Sequence, residues 1–142
     1  MKLCRFEQES QPAAGVFQDG QVIPLGAAAE AAGETIATTD DLLSFLPHGS
    51  QHDVAQRLAE WLANNDSDAA GLAIKDASIL TPIPQPNKLM LLAGNYAKHI
   101  EEGGENAVER SQTYPYVFMK PASTTLNHHG GEIPIPAVSP DN

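Results

Sequence analysis

Residues 13–25 read AAGVFQDGQVIPL. Two short apolar runs, 15–17 and 22–25, flank Asp19-Gly20. A two-residue Asp-Gly connection between such runs is a strong signal for a tight β-hairpin. Backbone geometry explains the pair, because glycine tolerates positive φ without steric cost. The opening MKLCRF then reads as a further strand, with Leu3 and Phe6 available for burial. The chain therefore begins as antiparallel sheet.

Helices follow. GAAAEAAG is an alanine-rich helical turn bounded by Gly26 and Gly33. TTDDLLSFLPHG opens with hydroxyl and acidic groups that cap a helix. It is expected to turn Leu42, Leu43 and Leu46 inward and to stop at Pro47. SQHDVAQRLAEWLANN is the clearest helix, with Ser50 as its N-cap. Val54, Leu58, Trp61 and Leu62 fall at i, i+4, i+7 and i+8, one apolar stripe. Trp61 on that stripe reads as core. GLAIKDASIL offers another short strand.

TPIPQPNK places a proline at every second position, which makes the segment extended and stiff. A domain boundary is expected near it. Residues 1–76 form a small N-terminal α+β unit, and 77–142 the start of a second domain. There KLMLLA is a continuous apolar run, which suits a strand buried on both faces. NYAKHIEEGG is a short helix or turn, and GENAVERSQT a polar loop. YPYVFMK is an aromatic, β-branched strand. PASTTLNHHGGE is a polar connection, and IPIPAVSPDN is extended. The 11 prolines exclude a mainly helical second half, since Pro82, Pro84, Pro86, Pro115, Pro121, Pro134, Pro136 and Pro140 all fall there. About three strands and one short helix leave an apolar sheet face uncovered. The expectation is that the chain is the N-terminal part of a longer protein, or pairs with another copy or chain.

Composition narrows the functional classes. The 142 residues carry 8 Lys+Arg against 18 Asp+Glu, a net charge of −10. That balance argues against nucleic acid as a partner and against docking on an anionic membrane. The acidic residues are scattered, so they form no acidic tail. Cys4 is the one cysteine, which excludes an intrachain disulfide and fits a reducing compartment. It reads as a small core residue. No apolar run approaches the roughly 20 residues of a membrane span, and MKLCRFEQES has no signal-peptide core. A cytoplasmic location is expected.

Proton-handling groups cluster in GNYAKHIEEGG, residues 94–104. His99 and Glu102 stand at i and i+3, neighbours on a helix. A carboxylate bonded to one imidazole nitrogen fixes the tautomer and leaves the other nitrogen free to take a proton. That is the base-plus-orienter arrangement of hydrolytic sites. Asn95 and Tyr96 can hold the turn or contact substrate, and Gly103 with Gly104 would let the element move as a lid. The competing reading is a short amphipathic helix whose His and Glu face water, because His-x-x-Glu is a common accident. His128 and His129 are adjacent, so in extended chain they point to opposite faces and do not readily share an ion. A glycine-flanked loop is the better reading. Lys120 ends the aromatic strand, either aimed at an anionic substrate or kept in water. Ser123, Thr124 and Thr125 can donate to the same ligand. The chain has no P-loop, GxGxxG or GxSxG.

Three stretches in order, KLMLLAGNYAKHIEEGG, YPYVFMKPAS and GEIPIPAVSPDN, resemble the fumarylacetoacetate hydrolase family. MKLCRFE and GVFQDGQVIPL resemble the small N-terminal domain of many members. The resemblance covers nearly the whole chain. It implies a mixed β-rich catalytic core, a homodimer, and Mg²⁺ (or Mn²⁺ or Ca²⁺) holding a 2-oxo or 1,3-dicarbonyl acid. It implies C–C hydrolysis of acylpyruvates, oxaloacetate decarboxylation, or isomerisation of ring-cleavage acids. By position, His99 would be the general base, Glu102 its orienter, and Lys120 a substrate-side lysine, with Asn95 and Tyr96 near the substrate. The family's metal ligands, a Glu-x-Glu pair and a later Asp, would lie beyond Asn142, so the 142 residues alone are expected to be inactive and to bind no metal specifically. A non-catalytic dimerising or regulatory module is the alternative.

Overall fold

The computed structural model describes residues 1–37, 40–67, 70–93, 96–104, 114, 116–135 and 137–138. Asp19 and Gly20 make the expected turn, with φ of 51° and 80°. Two consecutive positive φ values match the right-handed twist of the flanking strands. β1 (Leu3–Gln8), β2 (Gln11–Gln18) and β3 (Gln21–Pro24) follow as a meander. The β1–β2 turn uses Glu9 and Ser10, also at positive φ (51° and 61°), with no glycine to announce it. β4 (Ile79–Leu80) pairs antiparallel with β1 and completes a four-stranded sheet of order β3-β2-β1-β4. Of the expected 71–80 strand, only β4 and a Val22–Ile74 bridge form.

Alternation along the strands splits the sheet into two faces. Ala14, Val16 and Ile23 point to one side. There they meet α1 (Leu25–Ala32), a 3-10 turn (Leu42–Phe45) and α2 (His52–Asn64) through Leu25, Ala28, Phe45, Ala55, Leu58 and Leu62. Cys4, Phe6 and Val22 point to the other side, with Ile74 and Ile79 packed on them. Each large apolar side chain fully buried here is worth about 1.5–3 kcal/mol. Gly15 makes this close packing possible: a Cβ there would stand 2.7 Å from Val22 Cγ1 and 3.1 Å from Phe6 Cε1.

Gly33 ends α1 in the left-handed conformation (φ 71°); its N–H donates to the Glu30 carbonyl at 3.2 Å and the Glu34 N–H to the Ala29 carbonyl at 2.8 Å. The segment after it differs from expectation. Residues 42–45 wind as a 3-10 turn, three residues per turn, so Leu42 and Phe45 share the buried face. Leu43 and Leu46, expected inside, are exposed at 53% and 39%. Asp41 caps the turn through its side chain. α2 begins after Gln51 rather than Ser50 and has no side-chain cap. Gln51 is instead buried and spent on tertiary hydrogen bonds, described below.

The chain divides into two units, Met1–Ile83 with Asn127–Asn142, and Pro84–Leu126. β4 belongs to the first because its partner is β1. The second holds β5 (Leu89–Ala93), α3 (Ala97–Glu102), β6 (Tyr116–Lys120) and α4 (Ala122–Thr125). The fold is thus mixed α+β, with antiparallel sheets and four α-helices among the described residues. No helix among them is long and apolar enough to cross a membrane.

β5 corrects a second expectation. It is not buried on both faces: Leu89 and Leu91 are half-buried, while Met90 and Leu92 are exposed at 60% and 50%. Its ladder partner is β6, in a two-stranded sheet, and all five β6 residues are exposed. A continuous apolar run reports that a strand can be covered on both sides; it does not supply the cover.

Candidate functional site

β5 and β6 form an antiparallel ribbon with Leu89 opposite Lys120, Leu91 opposite Phe118 and Ala93 opposite Tyr116. The apolar run supplies β5, and the aromatic and β-branched residues of β6 suit a pleated ribbon. α3 follows closely on β5. Tyr96 occupies its N-cap position with an extended backbone (φ −117°), and its carbonyl accepts the Ile100 N–H at 3.2 Å. The Tyr96 side chain is 71% exposed. Gly103 stays in the right-handed helical region and Gly104 leaves it at φ 81°, closing the helix with bonds to Ile100 and Glu101 carbonyls.

α3 carries both His99 and Glu102 and so sets the two positions one helical turn apart. Glu102 is exposed; the His99 side chain lies outside the described residues, as does Asn95. Ile100, between them, is half-buried. Lys120 ends β6, exposed. The ribbon register sets it four pairs from Ala93, the end that leads into α3. That is about 13 Å along the strand. The backbone therefore joins His99 and Glu102 closely but holds Lys120 at the opposite end of the ribbon.

The hydroxyls after Lys120 are partly spoken for. Thr125 Oγ1 donates to the Pro121 carbonyl at 2.6 Å, within α4. Its proton is thus committed to the backbone rather than held ready for a ligand. Residues 105–113, expected to be a polar loop, lie outside the described residues.

Two polar arrangements were not legible in the sequence. Gln51 Nε2 donates to Ser44 Oγ at 3.2 Å, Ser44 Oγ to the Asp41 carbonyl at 2.7 Å, and the Gln51 N–H to the Ser44 carbonyl at 2.8 Å. This buried set holds the 3-10 turn against the start of α2. His128 bonds to Thr81, 47 residues away, through Nδ1. Both link segments distant along the chain, and no local pattern marks either. A polar hollow of about 130 Å³ lies between the side chains of Gln18, Asp19 and Gln21 and those of Asn65, Asp66 and Ser67. It is small beside ordinary substrate pockets.

Titration is perturbed at three described positions away from α3. Burial pushes the Cys4 thiol up to about 11. The Arg57 hydrogen bond holds the Glu34 carboxyl below its ordinary range, and Glu34 in turn raises Arg57. These are structural effects: Cys4 is sealed in the core and the ion pair joins the end of α1 to α2. Among the described residues, no three His, Cys, Asp or Glu side chains group as a metal's ligands would.

No family model matches the chain, and no curated protein matches it significantly.

Proposed function

We propose that this chain carries the water-activating and substrate-side elements of a hydrolase of the fumarylacetoacetate hydrolase type, with its mixed β-rich core, acting on acylpyruvate or a related 2-oxo or 1,3-dicarbonyl acid. The observation that carries this reading is α3, which sets His99 and Glu102 one turn apart directly after an apolar strand. His99 takes the proton from water, and Glu102 orients the ring and stabilises its cation. Tyr96 and Asn95 contact the substrate from the mouth of the helix. Lys120 would offer its charge to a carboxylate of the substrate only by reaching back with its long side chain from about 13 Å along the ribbon. Decarboxylation or isomerisation of the same acid class would use the same residues. Such an enzyme would work with Mg²⁺, Mn²⁺ or Ca²⁺ to hold the substrate's oxygens. The described residues provide no fitting ligand set, so no step is assigned to the ion.

Acylpyruvate hydrolysis assayed with added Mg²⁺ tests the assignment. His99→Ala should abolish turnover while Mg²⁺ affinity stays near that of the parent. Unchanged turnover would remove His99 from the role of base.

A second reading, a non-catalytic pairing module, draws on the ribbon itself. Met90, Leu92, Val117 and Met119 share one face of the ribbon and are between 50% and 71% exposed. Apolar surface so grouped is a feature of interaction sites. Both readings include a homodimer. Light scattering on the purified chain tests it, and a monomer at all accessible concentrations would count against both.

A further inference from the structure

Thr81 follows β4 and is buried, only 9% exposed. Its backbone N–H donates to His128 Nδ1 at 3.0 Å, and its Oγ1 lies 2.9 Å from the same nitrogen. A main-chain N–H can only donate, so Nδ1 must accept. That requires a neutral ring with its proton on Nε2. An imidazolium has no lone pair at either nitrogen, so it cannot accept from the Thr81 N–H and can only donate to Oγ1.

The position of this contact gives it a consequence. Thr81 precedes the point, after Ile83, where the chain leaves the first unit; His128 follows the point, before Asn127, where it returns. One hydrogen-bonded pair therefore joins the outgoing and returning segments across 47 residues. The enclosed loop contains β5, α3, β6 and α4. His128 is also held from its own side. Its N–H donates to Asn127 Oδ1 at 2.8 Å, Asn127 Nδ2 donates to the Glu132 carbonyl at 2.8 Å, and the Gly131 N–H donates to the His128 carbonyl at 3.0 Å. The ring is thus presented by a small preformed turn.

We propose that Thr81 and His128 form a proton-operated clasp: the neutral imidazole holds residues 127–131 at the end of β4, and protonation of the ring breaks the Thr81 N–H bond and loosens that hold. The segments beside the clasp carry further charged groups. The clasp's own segment carries His129 and Glu132. β1, which pairs with β4, carries Arg5 opposite Leu80, in an ion pair with Asp40 at 3.8 Å, and Glu7, whose N–H bonds the Ser78 carbonyl. Because these groups titrate or carry charge too, the test follows the His128 ring itself rather than bulk pH. The clasp does not depend on the proposed hydrolase activity.

The experiment is NMR on the ¹⁵N-labelled 142-residue chain. Long-range ¹H–¹⁵N correlation reads the His128 tautomer, and amide exchange, corrected for intrinsic rates, reads Thr81 protection across the ring's titration. The expected result is an Nε2–H ring at high pH. Thr81 protection should fall about fivefold as His128 protonates, the net worth of one hydrogen bond. His128→Asn places an oxygen where Nδ1 stood and should keep the protection at every pH. His128→Ala should show the lower protection at every pH. An Nδ1–H tautomer, Thr81 protection that stays constant through the His128 titration, or a His128→Asn chain with the parent's pH dependence would each overturn the clasp.

Discussion

The Gln51 side-chain oxygen accepts the Ala37 backbone N–H at 2.7 Å, fourteen residues back along the chain. Gln51 is 8% exposed, and its Nε2 donates to Ser44 Oγ. One carboxamide thus ties together the segment after α1, the 3-10 turn and the start of α2. Replacing it by leucine of similar size leaves the Ala37 N–H and Ser44 hydroxyl to find other partners. The expected cost of Gln51→Leu is about 1–3 kcal/mol, read as a lowered urea midpoint. Gln51→Glu keeps the acceptor but loses the donor and buries a charge, so at neutral pH it should destabilise at least as much as the leucine variant.

Gly49 sits directly against the backbone carbonyls of Leu43 and Ser44. A Cβ there would collide with main-chain atoms, which cannot swing aside as a side-chain tip can. Gly49→Ala should therefore destabilise by about 1–3 kcal/mol. Gly26, whose Cβ would meet nothing within 4 Å, is the control. Gly26→Ala lies within α1 and should be neutral or stabilising, by up to about 1 kcal/mol. Equal midpoints for the two variants would contradict this.

Cys4 shows why a single thiol in this chain is not a nucleophile. Its side chain packs with Phe6 and Val22, and burial raises its thiol to about 11. The thiolate is the reactive species, so Ellman's reagent should label the folded chain slowly near neutral pH. Unfolding in urea should raise the rate by on the order of a hundredfold. Rapid labelling of the folded chain would place Cys4 outside the core.

Arg57 Nε and Nη2 reach the two Glu34 carboxylate oxygens at 2.6 and 2.9 Å. The hydrogen bond depresses the Glu34 carboxyl in the folded state. Its stabilisation is therefore fully present above the unfolded-state value for glutamate and is lost as pH falls through the lower folded-state value. The pair is solvent-exposed, so the effect is small and screened by salt. Glu34→Gln should lower the melting temperature slightly at neutral pH, and that difference should vanish in strong acid. A difference that grew on acidification would reverse the sign.

Local chemistry made the first unit largely legible. Asp19-Gly20 specified a turn because two positive φ values are needed there, and the Val54–Leu58–Leu62 spacing specified α2. Glu9-Ser10 carries no such signal because it makes the same kind of turn with residues that only tolerate the conformation. Leu43 and Leu46 were misplaced because the choice between 3.6 and 3.0 residues per turn was made by Gln51 and Ser44 across the loop. The candidate site was legible only as spacing: the chain order brings His99 and Glu102 onto one helix, and nothing local reports how far away Lys120 stands.

The sequence by itself determined the first three strands, the Asp19-Gly20 turn and α2, because those choices rest on backbone sterics and periodicity within a few residues. Only the tertiary structure decided which polar groups meet. Ala37 with Gln51, Arg57 with Glu34 and Thr81 with His128 are brought together by sheet register and helix packing. The exposure of β5 was settled at the same level, since an apolar strand is buried only where some other layer reaches it.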